Sequence, residues 1–415
     1  MNATTDPAAG SIRRWAILGI AGLNFVISMF YRVSTAIISP DLVALGLTSS
    51  QLSDLAAAFY YAFAAAQIPV GIALDRLGAR LTILALSFAA IGGAVLFAIG
   101  RTPNELILAR VLLGIGMSGN FMVVLTLLAA WFPADRFASL SGVVVAVGAL
   151  GNLMAATPLA ALNILVGWRT SFLIFAAVNA AVVVAFLVIV RDHPSGRTPV
   201  GLRSRSLLSG LARVAGMYSY WAISVCSFVR YGYFAALQSL WSAPFLIYGL
   251  GFGEIAAGNA IFSLGLGYMV GLPLSGVVSD RVLRSRKTVV LFNMVAFAII
   301  TTGFIWWSRS VPMWWVLASF FLLGLTSAPG QILYAHMKEL LPPTMVAQAM
   351  TSVNLFTILG VGVMTHVLGA VVGGDPSHLT CPEQFRMIWI VGVGSLAGVT
   401  LLYLPVADST ALKSR

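Results

Sequence analysis

The chain has 415 residues, of which 59% are apolar and only 9% are Asp, Glu, Lys or Arg, where an ordinary soluble domain carries about 25% charged residues. That balance excludes a soluble enzyme, and apolar runs of about 20 residues, enough for a helix to cross a bilayer, recur from Trp15 to Leu404. The net charge of +11 does not call for a nucleic-acid partner, because most Lys and Arg residues sit in short segments between apolar runs, where they act as topology signals.

Taken in chain order, residues 1–14 read as a cytoplasmic N-terminus. The first apolar run, after Arg13 and Arg14, reaches about Pro40, too long for the core of a cleavable signal, and is expected to stay as the first span. Eleven more follow, so the spans lie at about 15–40, 52–74, 80–100, 104–132, 138–162, 168–190, 218–247, 253–278, 287–307, 312–338, 345–372 and 385–405. The polar stretch between the sixth and seventh, rich in Arg, Ser, Gly and Pro, reads as a cytoplasmic linker over 191–217. It separates a bundle at 15–190 from one at 218–405, with a cytoplasmic C-terminus at 406–415. With both termini inside, the inner segments hold 17 of the 24 basic residues and the outer segments only Arg101, Arg169, Arg309 and Arg386. The positive-inside rule therefore orients the chain, and a bacterial inner membrane is the expected location. Cys226 and Cys381 are the only cysteines and imply neither a disulfide framework nor a thiolate metal site.

An internal repeat supports the division into halves. Gly71-Ile-Ala-Leu-Asp75-Arg76 after the second span recurs as Gly276-Val-Val-Ser-Asp280-Arg281 after the eighth, and Leu112-Leu-Gly114 with Phe132-Pro133 recurs as Leu322-Leu-Gly324 with Leu341-Pro342. The offset is about half the chain. Parallel repeats of six helices are a transporter layout, with the substrate held at mid-membrane. The expected fold is all-α and integral to the membrane, twelve transmembrane helices in two pseudo-symmetric six-helix bundles.

These residues resemble the major facilitator superfamily over nearly the whole chain. Gly71-x-x-x-Asp75-Arg76-x-Gly78-x-Arg80 matches its signature between the second and third helices, and Gly276-x-x-x-Asp280-Arg281-x-x-Arg284-x-Arg286-Lys287 matches the weaker second copy. The resemblance implies that Gly71, Asp75, Arg76, Gly78, Arg80, Asp280 and Arg281 serve a cytoplasmic gate. Phe30-Tyr31-Arg32 with Pro40, and Phe228-Val229-Arg230-Tyr231-Gly232, are similar to the arginine-bearing helices 1 and 7 of the organophosphate:phosphate antiporters. Arg110-x-x-x-Gly114 followed by Trp131-Phe132-Pro133-x-x-Arg136 is similar to helix 4 of the anion:cation symporters. Many of those symporters carry acidic residues where Tyr31 and Met117 stand here, which sets carboxylate-driven proton coupling aside.

The charge census inside the membrane carries the functional reading. Arg32, Arg110 and Arg230 fall within spans, where a central arginine costs about 2.5–3.5 kcal/mol to insert and marks function by default. All 13 acidic residues lie in loops or within a turn or so of a span end. Arg32 and Arg230, with a donor fork matched to carboxylate or phosphate, are the expected anion ligands, although snorkelling to the interface competes, most strongly at Arg32 and Arg110. Tyr31, Tyr231, Asn120, Tyr61, Gln238 and Asn354 are the polar neighbours assigned to the substrate, against the alternative of plain core packing. Arg110, His336 and His366 are assigned to coupling, the histidines because imidazole exchanges protons near physiological pH, against the more frequent structural histidine. No Walker loop, nucleophile elbow or HExxH motif is present. The chain is read as a non-enzymatic secondary transporter of a small organic anion, symporter or antiporter, with no cofactor, metal or nucleic acid. It is expected to act as a monomer with a coupling ion or counter-anion. The alternatives are a proton-coupled exporter of a drug-like or siderophore-like compound, and a non-transporting receptor on the same scaffold.

Overall fold

The computed structural model describes residues 7–193, 215–341, 343–373 and 381–408. Most of the expected linker, residues 194–214, and both extreme termini lie outside the described residues. Backbone polar groups in a bilayer must be satisfied within the chain, which favours helices, and the described residues form helices and no strands. Ten helices among them are long and apolar enough to cross a membrane. One of these, Ser49–Ile99, contains the second and third expected spans, and the seventh is the further helix from Tyr218.

The first, fourth, fifth, seventh and tenth spans are interrupted rather than straight. The first runs as Pro7–Val33 and Thr35–Ala44. Within its second part Pro40 has no N–H for the carbonyl of Ala36, and the Ser39 hydroxyl takes that carbonyl at 2.6 Å. The second and third spans meet at Gly78, whose φ of +79° breaks the helix. The fourth consists of Pro103–Met117 and Asn120–Trp131, and its start is fixed by a capping box in which Thr102 and Glu105 serve each other's backbone N–H. The fifth is Ala134–Met154 with Thr157–Val166, and the sixth Trp168–Ile189.

The seventh span, Tyr218–Ala236, continues through two wide π-helical turns, Leu237–Trp241 and Phe245–Gly249. Glu254–Val277, Arg286–Gly303, Pro343–Val372 and Arg386–Tyr403 are the eighth, ninth, eleventh and twelfth. The tenth is split at Ala328–Pro329 into Met313–Ser327 and Gly330–Leu340. Each of those four end points except the last lies 210 residues beyond its counterpart in the fourth span. The duplication seen in the gate motifs thus extends to where the helices break.

Two compact units group the chain. One comprises the residues up to Arg32, Ala62–Ala155 and the sixth span; the other comprises Val33–Tyr61, Ala156–Ala161 and the described residues from 215 onward. The first span changes unit beside its interruption at Ser34. In the first unit Ile17, Phe25, Ile83, Val124, Leu127 and Phe186 form the core. In the second the seventh span packs along the eleventh and the eighth along the tenth, around Ile223, Val289, Met294, Leu333 and Val353. Apolar side chains such as Phe88, Leu165 and Val188 are more than 70% exposed. In water such a surface would aggregate; against lipid tails it is the matching solvent face.

Candidate functional site

Each unit buries arginine among its spans. In the first, Arg110 is completely buried and donates from Nη1 to the carbonyl of Tyr31 at 2.8 Å, joining the fourth span to the first within a turn of the Ser34 interruption. Tyr31 itself is buried between the rings of Phe30 and Phe172. Arg32 is also buried, its guanidinium carbon 4.9 Å from the ring centroid of Phe63, a cation–π distance. Nearby, Asn24 donates to Asn120 at 2.8 Å and the Ser28 hydroxyl donates to the Met117 carbonyl at 3.1 Å. Asn120, expected at the substrate, is therefore also a polar link between the first and fourth spans, with its partner Asn24 at the same depth.

In the second unit Arg230 donates from Nη1 to the carbonyl of Ser327, the last helical residue before the tenth span breaks. Gly330, just beyond the break, leaves the space the guanidinium occupies; any side chain there would collide with it. Tyr231, Tyr268 and Tyr334 lie within electrostatic range of the same group. Tyr334 in turn bonds Thr357 at 3.0 Å and Asn354 at 3.5 Å. Among the described residues no carboxylate forms an ion pair with Arg230. Gln238 is buried in the first π-helical turn, a feature common at functional sites. The structure therefore gathers Arg230, Tyr231, Tyr334 and Asn354, while Arg32, Tyr31 and Asn120 belong to the other unit.

Tyr61 has a different neighbour. Its hydroxyl lies 3.0 Å from Nδ1 of His366, whose Nε2 is 2.8 Å from a carboxylate oxygen of Asp54. His336 is buried, with Nδ1 2.5 Å from the Tyr403 hydroxyl and Nε2 3.0 Å from the Ala407 carbonyl. Because a carbonyl only accepts, Nε2 carries the hydrogen and Nδ1 accepts from the phenol.

The two G-x-x-x-D-R motifs show how such loops are held. The Arg80 backbone N–H donates to Asp192 at 2.8 Å, so a carboxylate from the end of the sixth span sits at the start of the third, where the helix dipole favours it. Gly78 combines a positive φ with so close an approach of that carboxylate that a Cβ would strike it. In the second copy Arg286 pairs with Asp280 and reaches Glu339 at 3.3 Å and the Ser279 hydroxyl at 2.8 Å. Gly71, Asp75, Arg76 and Arg281 are exposed. Asp192, Glu339 and Asp54 are the participants that sequence reading did not select; each is a loop or span-end carboxylate whose partner is 53 to 312 residues away.

The arrangement offers fixed cationic donors inside apolar helical units and acid–base pairs near helix ends, which suits binding and moving a charged solute. Comparison with known proteins agrees. The chain is 26% identical over 338 residues to a probable sulfoacetate transporter, SauU, of Cupriavidus necator, covering 76% of this chain and 78% of that one. It is 25% identical to a putative tartrate transporter of Agrobacterium vitis, covering 69% and 72%. It is 24% identical to the membrane sensor protein UhpC of Salmonella typhimurium, covering 81% and 80%. The model of the Major Facilitator Superfamily matches residues 20–258 and 223–415. With that match over nearly the whole chain, the chain belongs to the Major Facilitator Superfamily.

Proposed function

We propose that the protein is a secondary active transporter that moves a small organic anion, bearing a carboxylate or phosphate, across the membrane by alternating access. The observation that carries this reading is Arg230: a buried guanidinium held by one backbone carbonyl and surrounded by phenols, with no carboxylate ion-paired to it among the described residues. Leaving a buried charge without a counter-charge is costly, and an anionic solute supplies one with geometry that the guanidinium fork matches. Arg32, the corresponding arginine of the first span, is the second ligand, and two of the relatives are named for sulfoacetate and tartrate, solutes of this charge class. Asp75, Arg76, Asp280 and Arg281 serve the gate on the cytoplasmic face, with both termini on that side of a bacterial inner membrane. The chain works as a monomer and is not an enzyme.

The test is thermal stabilisation of the purified protein by phosphate esters, sugar acids, dicarboxylates, sulfonates and amphiphilic cations, followed by uptake of the stabilising compound into proteoliposomes. One anion class is expected to stabilise, with the shift lost in Arg230→Ala. Arg230→Lys, which keeps the charge without the fork, is expected to weaken binding by about 10- to 150-fold. Stabilisation by cations alone, or an anion shift indifferent to position 230, would overturn the reading in favour of an exporter. The likeness to a membrane sensor supports a second reading, a receptor on this scaffold; anion binding without uptake would select it.

A further inference from the structure

We propose that Asp54, Tyr61 and His366 form a proton-binding site that clamps the second span to the eleventh. The proposal rests on the transporter reading and names its coupling ion. Asp54 and Tyr61 are seven residues apart on the helix Ser49–Ile99 and so share one face. Both meet the same imidazole of Pro343–Val372, Asp54 at Nε2 and Tyr61 at Nδ1. The spans touch closely on either side: a Cβ at Gly362 would strike the Tyr61 ring and one at Gly369 the Ser53 hydroxyl. The Asp54 and His366 side chains are 46% and 38% exposed, so the pair sits beside close packing without being sealed inside it.

Among the described residues the neighbouring segments offer few other groups that exchange protons. Pro343–Val372 holds no other Asp, Glu, Lys, Arg or His. The seventh span meets this stretch through Trp241, whose indole N–H donates to the Thr365 carbonyl, and the π-helical turn Leu237–Trp241 contains no titratable side chain. Of the carboxylates on neighbouring helices, Asp41 and Glu254 interact with each other.

The chemistry follows from the acceptor pattern. In the neutral ring Nε2–H donates to the Asp54 carboxylate and Nδ1 accepts from the Tyr61 hydroxyl. One proton taken up at Nδ1 turns that bond round, so that the ring donates to the phenol oxygen, and converts the Asp54 contact into an ion pair. The Tyr61 link thereby becomes charge-assisted, and the Asp54 link, which already has an anionic acceptor, gains a cationic donor. Loss of the proton returns the neutral ring and the weaker bonds. Because the protonated ring makes the stronger links, proton uptake favours the joined arrangement and proton release favours separation.

The test measures the distance between spin labels at positions 50 and 370 of the full-length chain, carrying C226A and C381S, in liposomes with both faces at one pH between 5 and 8.5. The short-distance population is expected to fall as pH rises. His366→Gln, which can donate to Asp54 but cannot take the proton, is expected to remove the pH dependence. Asp54→Asn, which removes the counter-charge, is expected to reduce the short-distance population at pH 5. A distance independent of pH in the parent, an unchanged pH dependence in His366→Gln, or an unchanged population in Asp54→Asn would overturn the proposal. None of these readings needs a transported anion, so failure here is distinct from failure of the uptake assay.

Discussion

Two histidines in predicted spans look alike in sequence, and their surroundings separate them. His336 spends both ring nitrogens on Tyr403 and the Ala407 carbonyl in the buried core of the second unit, whereas His366 meets a carboxylate at a partly exposed position. His336→Gln is therefore expected to lower the unfolding temperature, by the about 1–3 kcal/mol of leaving buried groups unpartnered, while the pH profile of transport stays that of the parent. A displaced profile with unchanged stability would return His336 to the coupling role. The arginines were readable from sequence because a charge within an apolar run needs a reason; their partners were not. Arg110 and Arg230 both bind backbone carbonyls near helix interruptions, and a carbonyl has no signature in the residue alphabet. Gly78 was readable from its motif, and its backbone explains it: Gly78→Ala forces a side chain into a positive φ and against Asp192, with an expected cost of about 1–3 kcal/mol measurable as a lower unfolding temperature.

At the scale of elements, apolar length marks stretches that fold, among the described residues, into ten helices long enough to cross a membrane and the further helix from Tyr218, but their breaks are only half visible in sequence. Pro329 announces the tenth-span break, since it cannot supply an N–H; Ser118-Gly119 at the equivalent place in the fourth carries no proline, and there the interruption emerges from packing. The first and fourth spans are joined by polar groups, and this makes a prediction that separates linkage from substrate binding. In a double-mutant cycle of Asn24→Leu and Asn120→Leu followed by unfolding, the Asn24–Asn120 coupling is expected at about 0.6 kcal/mol, with about 1.7 as the upper bound for hydrogen bonds between transmembrane helices. A coupling of zero would show that the 2.8 Å contact contributes nothing to stability and leave Asn120 to the solute. The fifth-span glycines differ in the same way. Gly151 faces the Val26 carbonyl so closely that Gly151→Ala must push the first span away, whereas Gly142 faces open space and Gly142→Ala is expected to leave the unfolding temperature unchanged.

For the molecule as a whole, chain order suggests a boundary in the linker, yet Val33–Tyr61 group with the second-half helices. The reason is tertiary: Asp54 and Tyr61 meet His366, and Thr35–Ala44 packs on the π-helical turn of the seventh span. Apolar periodicity reports which face of a helix is buried and not which partner buries it. Charge, by contrast, speaks directly about the whole molecule, because moving a basic loop through the bilayer is disfavoured and the side holding 17 of the 24 basic residues is therefore expected to stay in the cytoplasm. That orientation puts the segment between the eleventh and twelfth spans outside, and the native chain carries its own reporter there. Cys381 is partly exposed, while Cys226 is buried with its sulfur against the Val399 carbonyl. A membrane-impermeant maleimide added to intact cells is therefore expected to label the protein, and the label is expected to vanish in Cys381→Ser. In inside-out vesicles the same reagent should leave the protein unlabelled. Labelling only in inside-out vesicles would reverse the topology, turn the basic loops outward and place the gate motifs on the opposite face from the one their charge requires.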